Sequence, residues 1–382
     1  MKKGGRPQIS SIWSVGVINA VNAYEVPNLG IRKDNNYAAT SEDVEPFSGV
    51  VPFKEHFLEQ MEYTGPGRAI PEPEQVETVK IGFIGPIMST VSVATGGKSH
   101  EEQLGIKMLQ GARLAIEQAN ARGGYLKRKI PFDLVISNDN RLWGASGNEI
   151  IKMAYKDKVW AILGTIDGAN THIAIRVALK AELVMLTTGD TDPTYIETNI
   201  PWVGRTIGDD RQQGYLLVDY LYRKIMNAQP AAAVIVADAQ DSAGIVNALR
   251  RQGFRGKVFG GPSMGRRSFR AGLSVGSDGV YFSCPAGAQA DDFGRSFSDR
   301  YGFYPDYTAR YGYETTRLLV AAVRRAGLNR ARIRDAVRDL SPWRGVAATI
   351  EWDGLGRNRL LNINPPICSV AGALTSACSE GR

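Results

Sequence analysis

No stretch of the sequence approaches the roughly 20 consecutive apolar residues that a membrane-spanning helix needs. Cysteine and histidine are scarce, with three of each in 382 residues. Cys284, Cys368 and Cys378 have no metal-ligand spacing, and His56, His100 and His172 are too dispersed to pair a base with a nucleophile. Also missing are G-x-G-x-x-G after a strand, G-x-x-x-x-G-K-[ST], H-E-x-x-H and G-x-S-x-G, so dinucleotide, triphosphate and hydrolytic chemistries lack their loops. Cys284-Pro285 follows a β-rich run, where a cysteine more often packs inertly than attacks. Cys368 and Cys378 are near enough in sequence to close a small loop in an oxidising compartment, and two thiols fit the same spacing. No interleaved aromatic platform accompanies the basic residues. The net charge of +7 comes largely from Arg310, Arg317, Arg324, Arg325, Arg330, Arg332, Arg334 and Arg338. These alternate with Leu318, Leu319, Val323, Ile333, Val337 and Leu340, a pattern that predicts solvated faces of amphipathic helices and argues against nucleic acid as a partner.

The length and a hydrophobic content of 43% suffice for two domains with buried cores. At the start, Lys2, Lys3 and Arg6 precede an apolar run over 9–21, and Val21-Asn22-Ala23 has the small-residue form of a cleavage site. This predicts a signal peptide over 1–23 and a periplasmic or otherwise extracytoplasmic protein. Residues 24–77 are rich in Pro, Asn, Asp, Glu and Gly and read as an extended arm, with one short helix expected over 52–63.

From Val79 the pattern changes. Strands are expected at 79–84, 132–137, 159–163 and 183–186, alternating with helices over 109–119 and 147–156 and one opened by Asn170-Thr171. The alternation resumes with strands at 232–237, 257–260 and 279–283 around a helix over 242–252, and closes with helices over 311–326 and 330–340 and a short strand over 349–352. Strands alternating with helices of this length predict right-handed βαβ units and parallel sheets, here in two α/β lobes. Ligands of such sheets bind where strands end and helices begin. Two loops qualify. Residues 164–169 supply backbone N–H groups at a helix start, suited to an anionic group. Residues 187–193 supply three threonine hydroxyls and two carboxylates, a mixture suited to a small molecule carrying both charges. Ordinary turn and cap chemistry explains either loop as well.

The ordered runs "VKIGFIGPIMS", "GARLAIEQANARGG", "WAILGTIDGANTHIA", "LVMLTTGDTDPTY" and "RTIGDDRQQGYLLVDYL" resemble the periplasmic branched-chain amino acid (Leu/Ile/Val) binding proteins, the type I solute-binding components of ABC transporters for hydrophobic amino acids and amides. The similarity runs from about Thr78 to about Asn364. It implies an α/β clamshell of two Rossmann-like parallel-sheet lobes joined by a three-crossing hinge, near 205–209, 283–286 and 344–348. Lobe one would then be 78–207 with 285–343, lobe two 208–284 with 344–367, and 368–382 a C-terminal tail. The implied function is non-enzymatic: a monomer without cofactor or metal captures a small amino acid or amide between its lobes and delivers it to a permease. A sensory module of the same fold is the alternative, and an α/β enzyme is a more distant one, with Asp190, Asp192 and Asp238 as its only plausible acids. On this chain the ligand contacts fall on Gly168, Ala169, Gly189, Asp190 and Thr191 from lobe one and on Asp238 and Ser263 from lobe two. Gly168 stands where the family often has a serine, so only its backbone is available. Ser263 stands where the family has an acid facing the ligand ammonium. After Lys224 the chain runs directly into Ile225-Met226-Asn227, so lobe two is expected to lack about one βαβ unit.

Overall fold

The computed structural model describes residues 16–18, 61–90, 99–101, 103–126, 129–198, 200–210, 213–214, 217, 232–284, 291–354, 356–358 and 367–370. In chain order its strands are β1 (Gly16–Ile18), β2 (Val79–Gly85), β3 (Met88–Thr90), β4 (Ser99–Glu101), β5 (Phe132–Asn138), β6 (Ala161–Leu163), β7 (Met185–Thr187), β8 (Val203–Arg205), β9 (Ala232–Ile235), β10 (Lys257–Gly260), β11 (Val280–Ser283), β12 (Trp343–Arg344), β13 (Thr349–Ile350) and β14 (Ile367–Ser369). Its α-helices are α1 (Gln103–Ala121), α2 (Trp143–Ile151), α3 (Gly168–Lys180), α4 (Ala239–Arg251), α5 (Arg267–Gly272), α6 (Asp292–Tyr301), α7 (Tyr307–Ala326) and α8 (Arg330–Asp339).

Contacts divide the chain into two units. The larger comprises Asn28–Tyr215 and Pro285–Pro365; the smaller comprises Met1–Pro27, Leu216–Cys284 and Pro366–Arg382. The larger unit is built on a five-stranded sheet in the order β5-β2-β6-β7-β8, parallel throughout. β2 is apolar at nearly every position because both of its faces are covered, as a central parallel strand requires. On one face α1, α7 and α8 bring Met108, Ala112, Leu318, Leu319 and Ile333 against Ile81, Phe83 and Leu163. On the other, α2 and α3 bring Ile150, Ala174 and Ala178 against Ile84, Ile162 and Met185. α1 and α7 cross where Gly111 faces the Ala309 carbonyl and Gly312 faces that of Met108, and a Cβ at either glycine would collide with backbone.

Arg325 is exposed as expected, but other arginines of α7 and α8 expected on solvated faces are partly or wholly buried. Arg324 donates to the carbonyl of Ala119 in the last turn of α1 and to that of Gly124 just beyond it. Arg330 donates to those of Ala154, Val159 and Ala181, at the ends of the α2 and α3 segments. Helix C-termini leave carbonyls without intrahelical donors, and a guanidinium fork satisfies several at once. Arg310 is buried against Asp291, the residue that caps α6.

The smaller unit's sheet has the order β1-β9-β10-β11-β14. β9, β10 and β11 are parallel, and β1 and β14 flank them antiparallel. One face, with Ala233, Ile235, Val258, Phe282 and Cys368, is covered by α4 and α5 through Val246 and Phe269.

Several boundaries differ from expectation. Residues 344–365, expected in lobe two, cluster with the larger unit. The reason is the β12–β13 pairing, with Ile350 buried in the larger core and Trp352 packed on it. Cys368, expected in a tail, is buried in β14. The end of the expected arm is docked on the larger unit, where Asn329 Nδ2 donates to the carbonyls of Gly67 and Ile70. α3 begins two residues before the expected Asn170, because Asp167 is its cap. The residues expected to lack a βαβ unit (224–231), most of the 52–63 helix and Cys378 lie outside the described residues, as does the signal segment apart from 16–18.

Candidate functional site

In the larger unit β6 and β7 end side by side, and the loops leaving them meet. The β6 loop turns into α3 through Asp167, whose side chain accepts the N–H of Asn170 at 3.1 Å. Behind it the hydroxyls of Thr165 and Thr171 are bonded to each other, and Thr171 Oγ1 also donates to the Asp167 carbonyl at 3.1 Å. Both threonines are buried, so they fix the loop and are not offered outward. Gly168 is partly exposed and Ala169 exposed at the first turn of α3.

The β7 loop is held from beneath. Thr206 Oγ1 donates to the Thr187 carbonyl at 3.0 Å, and the Thr187 hydroxyl is bonded to that of Tyr195. Thr188 Oγ1 lies 2.6 Å from Met108 Sδ, and Gly189 sits over the same methionine, whose terminal methyl a side chain there would have to displace. Asp190 is only 1% exposed; its Oδ1 accepts the Asp192 N–H at 2.9 Å, and its Oδ2 has no hydrogen-bond partner. Burial pushes its carboxyl up to about 7, against the opposing influence of the nearby Thr171 hydroxyl, the Asp192 N–H and the Arg205 charge. Thr191 is partly exposed, and its carbonyl accepts the Asp210 N–H at 2.8 Å.

The two loops touch at Gly168 and Asp192. The Asp192 carboxylate occupies the space that a Cβ on residue 168 would need. It is fixed there by Thr194, whose N–H and hydroxyl donate to Oδ1 at 2.8 and 2.7 Å, and it lies 3.7 Å from His172 Nε2. The structure thus brings together Gly168, Ala169, Gly189, Asp190 and Thr191. Asp238 and Ser263 lie in the smaller unit, beyond the ends of the neighbouring parallel strands β9 and β10. Asp238 caps α4 by accepting the N–H groups of Gln240 and Asp241, and Ser263 Oγ donates to the neighbouring Ala237 carbonyl at 2.8 Å.

Arg205 was no sequence candidate, yet it organises the wall. Fully buried at the end of β8, it donates to the Asp192 carbonyl at 2.8 Å and pairs with Asp209 at 2.7 Å. Its guanidinium lies 5.4 Å from the Tyr195 ring centroid. The only signal was a charged residue closing an apolar strand in Val203-Gly204-Arg205.

Comparison with known proteins bears on the fold. A family model described as periplasmic binding protein matches residues 219–360. An amino acid binding protein of Pseudomonas aeruginosa is 29% identical over 205 residues, which are 50% of this chain and 52% of the relative. A Leu/Ile/Val-binding protein homolog of Brucella abortus is 21% identical over 67% of this chain and 84% of its own. The match thus spans about half the length of the first of these relatives and most of the second. Among solved structures, the branched-chain amino acid substrate-binding protein LivJ of Streptococcus pneumoniae, in complex with isoleucine, superposes with a TM-score of 0.63 at 16% identity, covering 74% of this chain and 93% of that one. The leucine binding protein LivK of Thermotoga maritima gives 0.62 at 19% identity, covering 73% and 92%. The chain is therefore similar to the periplasmic branched-chain amino acid binding proteins, and it has the α/β fold of the type I periplasmic binding proteins.

Proposed function

We propose that the chain is an extracytoplasmic solute-binding protein that captures a small amino acid or amide-like molecule without altering it and delivers it to the permease of an ABC transporter. The observation that carries this reading is the meeting of two strand-end loops at Gly168 and Asp192, on a parallel sheet shared in fold with amino acid binding proteins. The first turn of α3 directs N–H groups toward this junction, and the partly exposed Thr191 stands beside it. Threonines and Arg205 hold both loops from behind, so the polar groups are ordered before a ligand arrives and less entropy is lost on binding. Each acid considered for catalysis makes a structural contact: Asp190 is buried and accepts from Asp192, Asp192 accepts from Thr194, and Asp238 caps a helix.

Asp192 bears on the ligand's chemistry. Its carboxylate stands at the start of α3, where backbone N–H groups would otherwise suit a ligand carboxylate. A second carboxylate arriving there would meet a like charge. The ligand that fits presents an amide or ammonium group to this wall. Isothermal titration of amino acids, their amides and small amines into the folded protein tests this. Saturable one-to-one heats are expected, stronger for amides than for the parent acids, and Asp192→Ser is expected to narrow the difference. Flat heats for every class from a folded sample would remove the proposal.

A further inference from the structure

α2 buries only one side. Ser146, Gly147 and Ile150 are buried, as are Met153 and Ala154 in the π-helical turn that continues the helix over Lys152–Asp157. Ser137 Oγ on β5 donates to Glu149 Oε2 at 2.7 Å and fixes the helix against the edge of the sheet. On the outward side Trp143, Ile151 and Tyr155 are 56%, 48% and 55% exposed. Gly144 and Asn148 are exposed with them. Residues 144, 148 and 151 follow at spacings of four and three and so share one helix face. The wider π-turn then returns Tyr155 to that face.

Apolar side chains of this size put on the order of 300 Å² into water, the scale at which an exposed surface marks contact with a partner. This face is complementary to itself. A side chain at Gly144 would meet nothing within 4 Å, so the face has a notch. A second copy, turned antiparallel about a twofold axis between residues 149 and 150, puts its Tyr155 into this notch beside Trp143, and its Ile151 against Asn148. The same axis brings Lys152, which is half-exposed 3.6 Å from Glu149, close to Glu149 of the other copy, so opposite charges flank the apolar contact on both sides of the axis. From these residues we propose that the outward face of α2 is a self-association surface that pairs two copies of this chain, where the resemblance implies a monomer. It lies wholly within the larger unit and is independent of the function proposed above.

Sedimentation equilibrium of the full chain over a wide concentration range tests this. An interface of this size is a weak one, so a reversible monomer–dimer equilibrium in the micromolar range is expected. Gly144→Gln adds a side chain where the monomer has open space, so the fold is kept while the notch is filled. It should weaken the dimer about tenfold or more, and so should Ile151→Glu, which puts a carboxylate into the contact. Val236→Glu charges an exposed apolar position in the smaller unit and should leave the dimer unchanged. A chain that stays monomeric at every concentration would overturn the inference. So would a dimer that Gly144→Gln and Ile151→Glu leave intact, or one that Val236→Glu weakens as much as they do.

Discussion

Replacing Asp190 by Asn should stabilise the protein in alkaline solution and lose that advantage in acid. In the folded chain burial raises the carboxyl from 3.8 to about 7, so between those values the folded state holds a proton that the unfolded state releases. Stability must then fall as pH rises through this window, since the unfolded state binds fewer protons. Each pH unit is worth about 1.4 kcal/mol, so ionising Asp190 in place costs about 4 kcal/mol once the pH exceeds 7. Asn cannot ionise, keeps the Oδ1 acceptor for the Asp192 N–H, and replaces the oxygen that has no partner. Urea unfolding of both proteins from pH 4 to pH 9 should show Asp190→Asn more stable by about 4 kcal/mol at pH 8 and above, the gap closing by about 1.4 kcal/mol per unit below 7. A difference that stays constant across this range would refute the reasoning, because it would mean that the carboxyl does not titrate differently on folding.

Gly312→Val should cost about 3 kcal/mol or more by chemical denaturation, because its Cβ meets the Met108 backbone where α1 and α7 cross. Asp291→Ala removes both the α6 cap and the partner of buried Arg310, and a loss of about 3 kcal/mol is expected in the same assay; a change under 1 kcal/mol would show that neither contact matters. Arg330→Met keeps an unbranched apolar stem but leaves carbonyls at the ends of the α2 and α3 segments without their donor, and should speed amide exchange in those last turns.

The sequence made the layered α/β architecture legible because buried parallel strands are apolar on both faces. β10 has the expected bounds, and β5 and β11 differ from expectation by a single residue. The contact between the two loops was not legible, since it depends on the 5-2-6-7-8 strand order, which local pattern does not encode. Arg205, Arg324, Arg330 and Arg334 were hidden for a related reason. A guanidinium reads as solvated unless its distant acceptors are known, and here those acceptors are carbonyls and carboxylates supplied by other elements. Asp167 carried a readable signal, an Asx residue three positions before the Asn170 N–H that it accepts, but the glycine between them suggested a longer loop. The antiparallel edge strands β1 and β14 had no period that three residues could display.

Hydrogen exchange at the two loops during ligand titration bears most directly on the account. Amino acid amides should slow exchange across 164–170 and 187–193 together, with one shared half-saturation and little change at the α1–α7 crossing. Protection of one loop without the other, or an unchanged exchange pattern at ligand concentrations that produce a saturating heat, would place the binding wall elsewhere.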